Sequence, residues 1–402
     1  MSHDPSRPLG VAVVGAGMAG RAHCQGYRTA TTLYGAGLPP VRLVAVADAH
    51  RPFADDAARR YGYERAVASW QEVAADPDVD VVSVVVANAL HREVVEGLLD
   101  AGKHVLCEKP LAPSLEDARS MVAAAEAADR VTGVGFTFRR SPAIAAVAER
   151  LHGGDLGEPR SFSAHYWCDY AVDPRAPMSW RYRGGPGSGA LADIGSHVVD
   201  TSELLLGPVR SVAGAAMSTF TAERPLPVGA VVGHAGGQVS DESAPVENED
   251  VVTFTAAYDG GVVGTFSISR VAHGLPNALG FELFGSRGAA MFDLNRPAEI
   301  AYSDTSSPAG TGGFRQVLLG PAHPYVRGGL AMDFPSVGHG QNEFFAYQCR
   351  AFLDQVVGRG ADDGALPPVP SLAHGLHNLE VLDAVTRSAA SGGAAVEVAA
   401  AP

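Results

Sequence analysis

Between residues 9 and 136 short β-branched apolar runs alternate with helical segments, and the first run ends in Gly15-Ala16-Gly17-Met18-Ala19-Gly20. Runs at 9–14, 41–48, 79–87, 103–107 and 130–136 read as strands. Segments 92–101, closed by Gly102, and 114–128 read as helices. Ser114 is a candidate N-cap, because Glu116 and Asp117 follow in the first turn, where the helix dipole favours negative charge. Strands that alternate with helices pair in parallel, and a parallel sheet needs cover on both faces. The order therefore predicts an α/β domain with a helix-covered parallel sheet.

The glycine spacing gives each residue a task. Gly15 allows a tight turn, Gly17 lets the backbone approach a pyrophosphate, and Gly20 permits close packing of helix on strand. The helix N-terminus, at Met18 and Ala19, faces the anion. With 47 glycines in 402 residues such a pattern arises by chance. The preceding strand, the following helix and a second strand ending in Asp48 supply the context that makes it specific. Asp48 can accept both ribose hydroxyls of NAD and would repel a 2′-phosphate. Its offset from Gly15 exceeds the usual ~20 residues, which an insertion around 29–40 accounts for. Arg51 lies close enough to meet a 2′-phosphate instead, so NAD is the favoured cofactor and NADP the alternative.

Ligands of an open α/β sheet bind outside the carboxyl ends of its strands. Two further strand ends carry polar groups: Asn88 and His91, beside Ala87, after one run, Glu108-Lys109-Pro110 after the next. Both segments are expected to line the cofactor crevice. Pro110 stiffens the backbone beside Lys109, and Glu108 is a candidate partner for its ammonium. A loop lysine at the surface and a polar residue at a helix start are the plain alternatives for Lys109 and His91.

Beyond about residue 140 the texture changes. Runs at 160–167, 209–220, 251–258, 262–271 and 278–285 read as longer, partly alternating strands, and Asp259-Gly260-Gly261 is a hairpin signal. The chain thus divides into a cofactor domain at 1–138 and a mainly antiparallel second domain at 139–402. A Gly/Pro-rich loop at about 221–248 interrupts the second domain. Segments 342–357 and 372–388 read as helices, with their docking onto the first domain left open.

Within Gly189-Ala190-Leu191-Ala192-Asp193-Ile194-Gly195-Ser196-His197, Asp193 and His197 are four apart and share a face of a helix. A carboxylate so placed orients an imidazole and stabilises its protonated form. Asp193 as a mere N-cap is the alternative. These residues suit hydride transfer from a secondary alcohol, whose hydroxyl proton must leave as the carbonyl forms. His197 is assigned as general base, Asp193 as its orienter and Lys109 as the electrostatic partner of the developing alkoxide. Lys109 and His197 can exchange roles.

Composition excludes several other classes. Hydrophobic residues make up 46% and charged residues 18%, which rules out a disordered chain. The net charge of −14, with no basic stripe, argues against nucleic acid. Cys24, Cys107, Cys168 and Cys349 form no C-x-x-C pair, so a thiolate metal site is not expected; free buried thiols in a cytoplasmic protein are. No signal peptide is expected from the polar first ten residues. No membrane span is expected either, since 79–87 is too short and contains Asp80.

In these motifs the chain resembles the Gfo/Idh/MocA oxidoreductases. The matching stretches are Gly15–Gly20 with Ala22-His23, Asn88 with His91, and Gly102-Lys103-His104-Val105 through Glu108-Lys109-Pro110. Further matches are Phe136-Thr137-Phe138-Arg139, Trp180-Arg181, Asp193-Ile194-Gly195-Ser196-His197, and Ser371-Leu372-Ala373-His374-Gly375. The resemblance implies a doubly wound Rossmann domain followed by an α+β domain with a large, open, mainly antiparallel sheet. It also implies homodimers or homotetramers, and NAD(P)-dependent redox chemistry on a sugar, cyclitol or related polyol. The 167–182 stretch is similar to the inositol and anhydrosugar dehydrogenase branch, which implies that Tyr166, Trp180 and Arg181 line the sugar pocket. Thr137 departs from the Asn common in the family, and the 221–248 loop is longer than expected. Relatives that cleave glycosides with retained NAD, or serve as non-catalytic sensors, are the alternative functions.

Overall fold

Burial at all six positions marks β1 (Leu9–Val14) as an interior strand of a sheet. In this computed structural model, residues 7–35, 37–229, 237–306, 311–334 and 337–401 are described. The chain splits into two units: Met1–Ser141 with Gly320–Leu376, and Pro142–Leu319 with His377–Pro402. In the first unit β1 is flanked by β2 (Val41–Ala47) and β3 (Arg65–Val67) on one side. On the other lie β4 (Val81–Val84), β5 (His104–Glu108) and β6 (Thr132–Gly135). The order is β3-β2-β1-β4-β5-β6 and every pairing is parallel. The chain between these strands runs through α1 (Met18–Ala30), α2 (Arg51–Tyr61), α3 (Trp70–Ala74), α4 (His91–Asp100) and α5 (Leu115–Ala127).

The Ser114 side chain caps α5, accepting from the Asp117 amide at 3.1 Å. Gly102, at φ +76°, ends the turn after α4 in a conformation that favours glycine. Of the 79–87 run only Val81–Val84 forms the strand, and Asn88–Leu90 forms a 3₁₀ turn leading directly into α4. The sequence order reverses between β1 and β4, the switch point at which open α/β sheets bind ligands.

The second unit begins with α6 (Pro142–His152) and β7 (Pro159–Trp167), followed by α7 (Ser196–Leu206) and β8 (Ser211–Ser218). β9 (Glu223–Pro227) and β10 (Val239–Pro245) form a separate two-stranded sheet in the expected 221–248 loop, of which 230–236 lies outside the described residues. Then come β11 (Val251–Ala257), β12 (Val263–Ser269), β13 (Ala278–Gly285), β14 (Gly288–Asp293), β15 (Glu299–Asp304) and β16 (Arg315–Leu318). With β17 (Val396–Glu397) the large sheet has the order β16-β15-β14-β13-β7-β12-β11-β8-β17. All its pairings are antiparallel except β7 with β12. The expected hairpin joins β11 to β12, with Gly260 and Gly261 at φ +74° and +80°. Burial alternates along both strands, so one face of the sheet is inward; α6 and α7 pack on the sheet.

The chain finishes with α8 (Gln341–Val356) and α9 (Leu372–Ala390). Residues 320–376, placed with the second domain by the sequence reading, belong to the first unit. The reason is helix packing: α8 lies on α1 at Gly26, where a Cβ would come within 2.9 Å of Cys349 Sγ and 3.0 Å of the Phe345 carbonyl. Among the described residues no helix is long and apolar enough to cross a membrane.

Candidate active site

In the first unit the glycine-rich turn links β1 to α1. Gly15 has φ +102°, its amide donates to the Ala47 carbonyl at 2.7 Å, and a Cβ would sit 2.1 Å from the Val85 carbonyl oxygen. A Cβ on Gly20 would lie 1.9 Å from the Gly15 oxygen. Gly17 differs, since a Cβ there would meet nothing within 4 Å. Two glycines are thus demanded by the fold itself, and the third opens onto space in front of the helix N-terminus. No side chain caps α1 and no acidic residue lies in its first turn, so that end suits an anion. Met18, about half exposed, and Ala19 begin the helix.

Asp48 follows β2 and braces this turn. Its Oδ2 accepts from the Ala16 amide at 2.7 Å and its Oδ1 from the His50 amide at 2.8 Å. A carboxylate has about four acceptor positions, so two backbone bonds leave capacity for ribose hydroxyls. Arg51 pairs with Asp55 one turn along α2, at 2.9 Å and with both side chains exposed.

Ala87 and Asn88 stand after β4, with Ala87 exposed and Asn88 half-buried. His91 is buried, 1% exposed, and its two ring nitrogens lie 3.1 Å from the Leu111 carbonyl and 3.2 Å from the Val86 carbonyl. Burial lowers its pKa. The ring ties the start of α4 to the segment after Pro110. Glu108 is also turned inward. Its Oε1 lies 2.8 Å from His23 Nε2, while Oε2 accepts from the Lys109 amide at 3.3 Å. Lys109 stands immediately beyond the carboxyl end of β5. Thr137 is buried, its hydroxyl 3.5 Å from the Gly135 carbonyl, while the neighbouring Arg139 meets His374 at 2.7 Å.

The second unit gathers Tyr166, Arg181, Asp193 and His197. Residues Leu191–Gly195 form a π-helical turn that runs directly into α7, so Asp193 and His197 lie on one helical run that is not uniformly α. Such turns recur at functional positions. The N-cap alternative for Asp193 does not hold. Glu249 serves the start of this run, its carboxylate accepting from the Gly187 and Leu191 amides at 2.8 and 2.9 Å. Burial raises the Glu249 pKa. A Cβ on Gly189 would lie 2.4 Å from the Glu249 carbonyl, and one on Gly195 would lie 2.8 Å from Ile268, so both glycines allow this close approach.

Asp193 Oδ2 instead accepts from the Tyr170 hydroxyl at 2.8 Å, with Arg181 Nε 3.7 Å away. Burial, then the Asp193 charge, pushes the Tyr170 pKa well up, which keeps this hydroxyl a donor. Tyr170 was not singled out from the sequence, where nothing distinguishes it from other loop tyrosines. Arg181 stacks on the half-exposed Trp180 at 4.4 Å. Its backbone carbonyl accepts from Arg270 and from Asn248, each at 3.0 Å. Arg270 is fully buried with Asp250 at 2.8 Å, and its guanidinium lies 4.7 Å from the centre of the Tyr182 ring. Tyr166 is buried, donates to Asn277 at 2.7 Å, and has its ring 6.0 Å from that of His197.

The open space at Gly17, the uncapped α1 and the Asp48 carboxylate fit a dinucleotide. The family description "Oxidoreductase family, NAD-binding Rossmann fold" matches residues 9–136, and "GFO/IDH/MocA C-terminal domain" matches residues 144–291. The levoglucosan dehydrogenase of Pseudarthrobacter phenanthrenivorans is 35% identical over 387 residues, covering 95% of this chain and 96% of that protein. The 1,5-anhydro-D-fructose reductase of Ensifer adhaerens is 32% identical over 70% of this chain and 76% of its own length. A levoglucosan dehydrogenase in complex with NADH and levoglucosan has a TM-score of 0.87 at 32% identity, covering 98% of this chain and 100% of that one.

Proposed function

Because the chain belongs to the Gfo/Idh/MocA family of NAD(P)-dependent oxidoreductases, we propose that it transfers hydride between NAD and a ring secondary hydroxyl of an anhydrosugar. The observation that carries this reading is the near full-length similarity to a levoglucosan dehydrogenase. Cyclitols and simple sugars are the neighbouring candidates. The Gly15–Gly20 turn with Met18 and Ala19 would hold the pyrophosphate, Asp48 the ribose, and Ala87 with Asn88 the rim. The Arg51–Asp55 pairing favours NAD over NADP, because the nearby cation already has an anionic partner.

The nicotinamide, when bound, supplies the hydride acceptor. The rest falls to side chains of the chain. His197 accepts the hydroxyl proton of the substrate, an imidazole being suited to that transfer near neutral pH. Asp193, held by Tyr170 and Arg181, orients the imidazole and favours its protonated form. The Lys109 ammonium stabilises negative charge developing on the alkoxide. Trp180 offers an exposed aromatic face for a sugar ring, and Arg181 offers donors for its hydroxyls. Tyr166 contributes its ring, since its hydroxyl is taken by Asn277. Free, buried cysteines suit a reduced, cytoplasmic setting, and assembly as a homodimer or homotetramer is part of the proposal.

The test is NADH appearance at 340 nm with levoglucosan, other anhydrosugars, cyclitols and pyranoses, each with NAD and with NADP. Steady NADH release on an anhydrosugar supports the reading and excludes redox-neutral glycoside cleavage with retained NAD. Lys109→Ala and His197→Asn should each lower kcat by about 10²- to 10⁴-fold with NADH binding retained. Cofactor binding with no turnover of any panel member would refute it and favour a sensor.

A further inference from the structure

Behind Lys109 lies a buried polar chain that the proposed mechanism does not use. His23, on α1, has no exposed side-chain surface. Its Nε2 lies 2.8 Å from Glu108 Oε1 and its Nδ1 lies 3.0 Å from Ser83 Oγ on β4. The Tyr27 hydroxyl lies 2.9 Å from the same Ser83 oxygen. The proton directions follow from chemistry. A carboxylate only accepts, so His23 Nε2 carries hydrogen and donates to Glu108. Ser83 Oγ links Nδ1 to the Tyr27 hydroxyl, taking both as hydrogen-bond partners. Both ring nitrogens are thereby engaged.

Two further observations show that the space is shaped for this pair. A Cβ on Gly135 would fall 2.3 Å from Glu108 Oε1, so glycine on β6 leaves room for the carboxylate. The Phe345 ring from α8 closes over His23 at 5.4 Å, edge to face. The chain joins α1, which begins at the glycine-rich turn, to β4 and to the last residue of β5. Glu108 continues it through the Lys109 amide at 3.3 Å.

We propose that His23 and Glu108 are positioning residues that fix the Lys109 backbone against the dinucleotide helix. This inference rests on the catalytic reading of Lys109. The geometry makes the claim specific: the His23–Glu108 bond spans 85 residues of sequence and ends one residue from the lysine. A misplacement of about 1 Å in a reacting group costs up to ~10²-fold in rate, so a loosened β5 end is visible in kcat before it is visible in cofactor affinity.

The test compares His23→Leu, His23→Gln, Glu108→Gln and Lys109→Ala in the full-length protein, with levoglucosan and NAD. His23→Leu should lower kcat by about 10- to 100-fold, with the NADH dissociation constant within about threefold of wild type. His23→Gln, which keeps a donor facing Glu108, should restore most of the rate. Glu108→Gln keeps the side-chain shape and should reproduce the His23→Leu loss, so the outcome does not depend on how well the leucine folds. In the Lys109→Ala background neither substitution should lower the residual rate further, because residues that act through one group are not additive. Hydrogen exchange of the Lys109 amide, read in a 104–111 peptide, should accelerate in the two loosened variants without matching acceleration elsewhere in the first unit. Undiminished loss in the Lys109→Ala background, unchanged kcat, or exchange rising evenly across the unit overturns the positioning role while leaving Lys109 catalytic. Wild-type turnover by Lys109→Ala overturns the reading beneath it.

Discussion

Replacing Asp48 with alanine tests whether one carboxylate both braces the glycine-rich turn and reads the ribose. The structure gives it two backbone bonds, from Ala16 at 2.7 Å and His50 at 2.8 Å. Hydrogen bonds to a charged group contribute about 1.5–3 kcal/mol each, and the lower end applies to this partly exposed position. Loss of a ribose hydrogen bond alone should therefore raise the NADH dissociation constant by about 10-fold. Loss of the two brace bonds should remove about 3 kcal/mol of stability, a fall in Tm of about 6–12 °C for a unit of this size. NADPH escapes the repulsion of the carboxylate but still meets the loosened turn. The NADH preference should shrink, and NADPH should still bind the variant more weakly than NADH binds wild type. Asp48→Asn, which keeps one acceptor oxygen but turns a donor toward one amide, should fall between. Fluorescence titration with each reduced cofactor, beside a thermal melt, supplies both quantities. NADH affinity within twofold of wild type would refute the ribose role. NADPH binding that surpasses wild-type NADH would refute the brace.

Gly17→Ala should leave Tm within about 2 °C, because the added methyl meets no protein atom; NADH affinity should nonetheless fall at least ~10-fold, a 1.4 kcal/mol effect, and unchanged affinity would sink the cradle. Asp250→Asn strands the Arg270 charge, which is fully buried with it. Breaking such a pair costs about 3–5 kcal/mol, or roughly 6–20 °C in the second unit, and a calorimetric shift under 2 °C would contradict this. His377 lies 2.9 Å from Glu203 and 3.8 Å from Glu380; burial alone would lower its pKa, yet the two carboxylates outweigh burial and raise it. A raised folded-state pKa gives stability that is complete below the ordinary value of about 6.5 and fades as pH climbs through the folded-state value. Glu203→Gln should therefore cost more stability at pH 5.5 than at pH 9, as denaturant titrations at the two pH values can show; equal costs would exclude the linkage.

Local signals in the sequence were enough for the parallel sheet, the glycine turn, the Ser114 cap, the Gly260-Gly261 hairpin and the placing of Lys109 at a strand end. Each rests on residues within a few positions of one another, where side-chain period, positive φ and capping act directly on the backbone. The partners of buried polar groups were not legible in this way. Glu108, a candidate partner for the Lys109 ammonium, also sets a carboxylate oxygen 2.8 Å from His23, 85 residues away. Asp193 takes its hydroxyl donor from Tyr170, 23 residues back, and its helical run starts on Glu249, 58 residues beyond Leu191. His91 opens α4, and packing closes over its ring, whose two nitrogens lie 3.1 and 3.2 Å from backbone carbonyls. The parallel match of β7 with β12 and the placing of α8 in the first unit are likewise long-range choices. The sequence by itself determined which backbone segments form strands, helices and the dinucleotide turn, because those choices are made within a turn or two of chain. Only the tertiary structure decided which buried carboxylate meets which donor. An unpaired polar group is costly wherever it is buried, and the fold alone determines which donors lie within 3 Å of it.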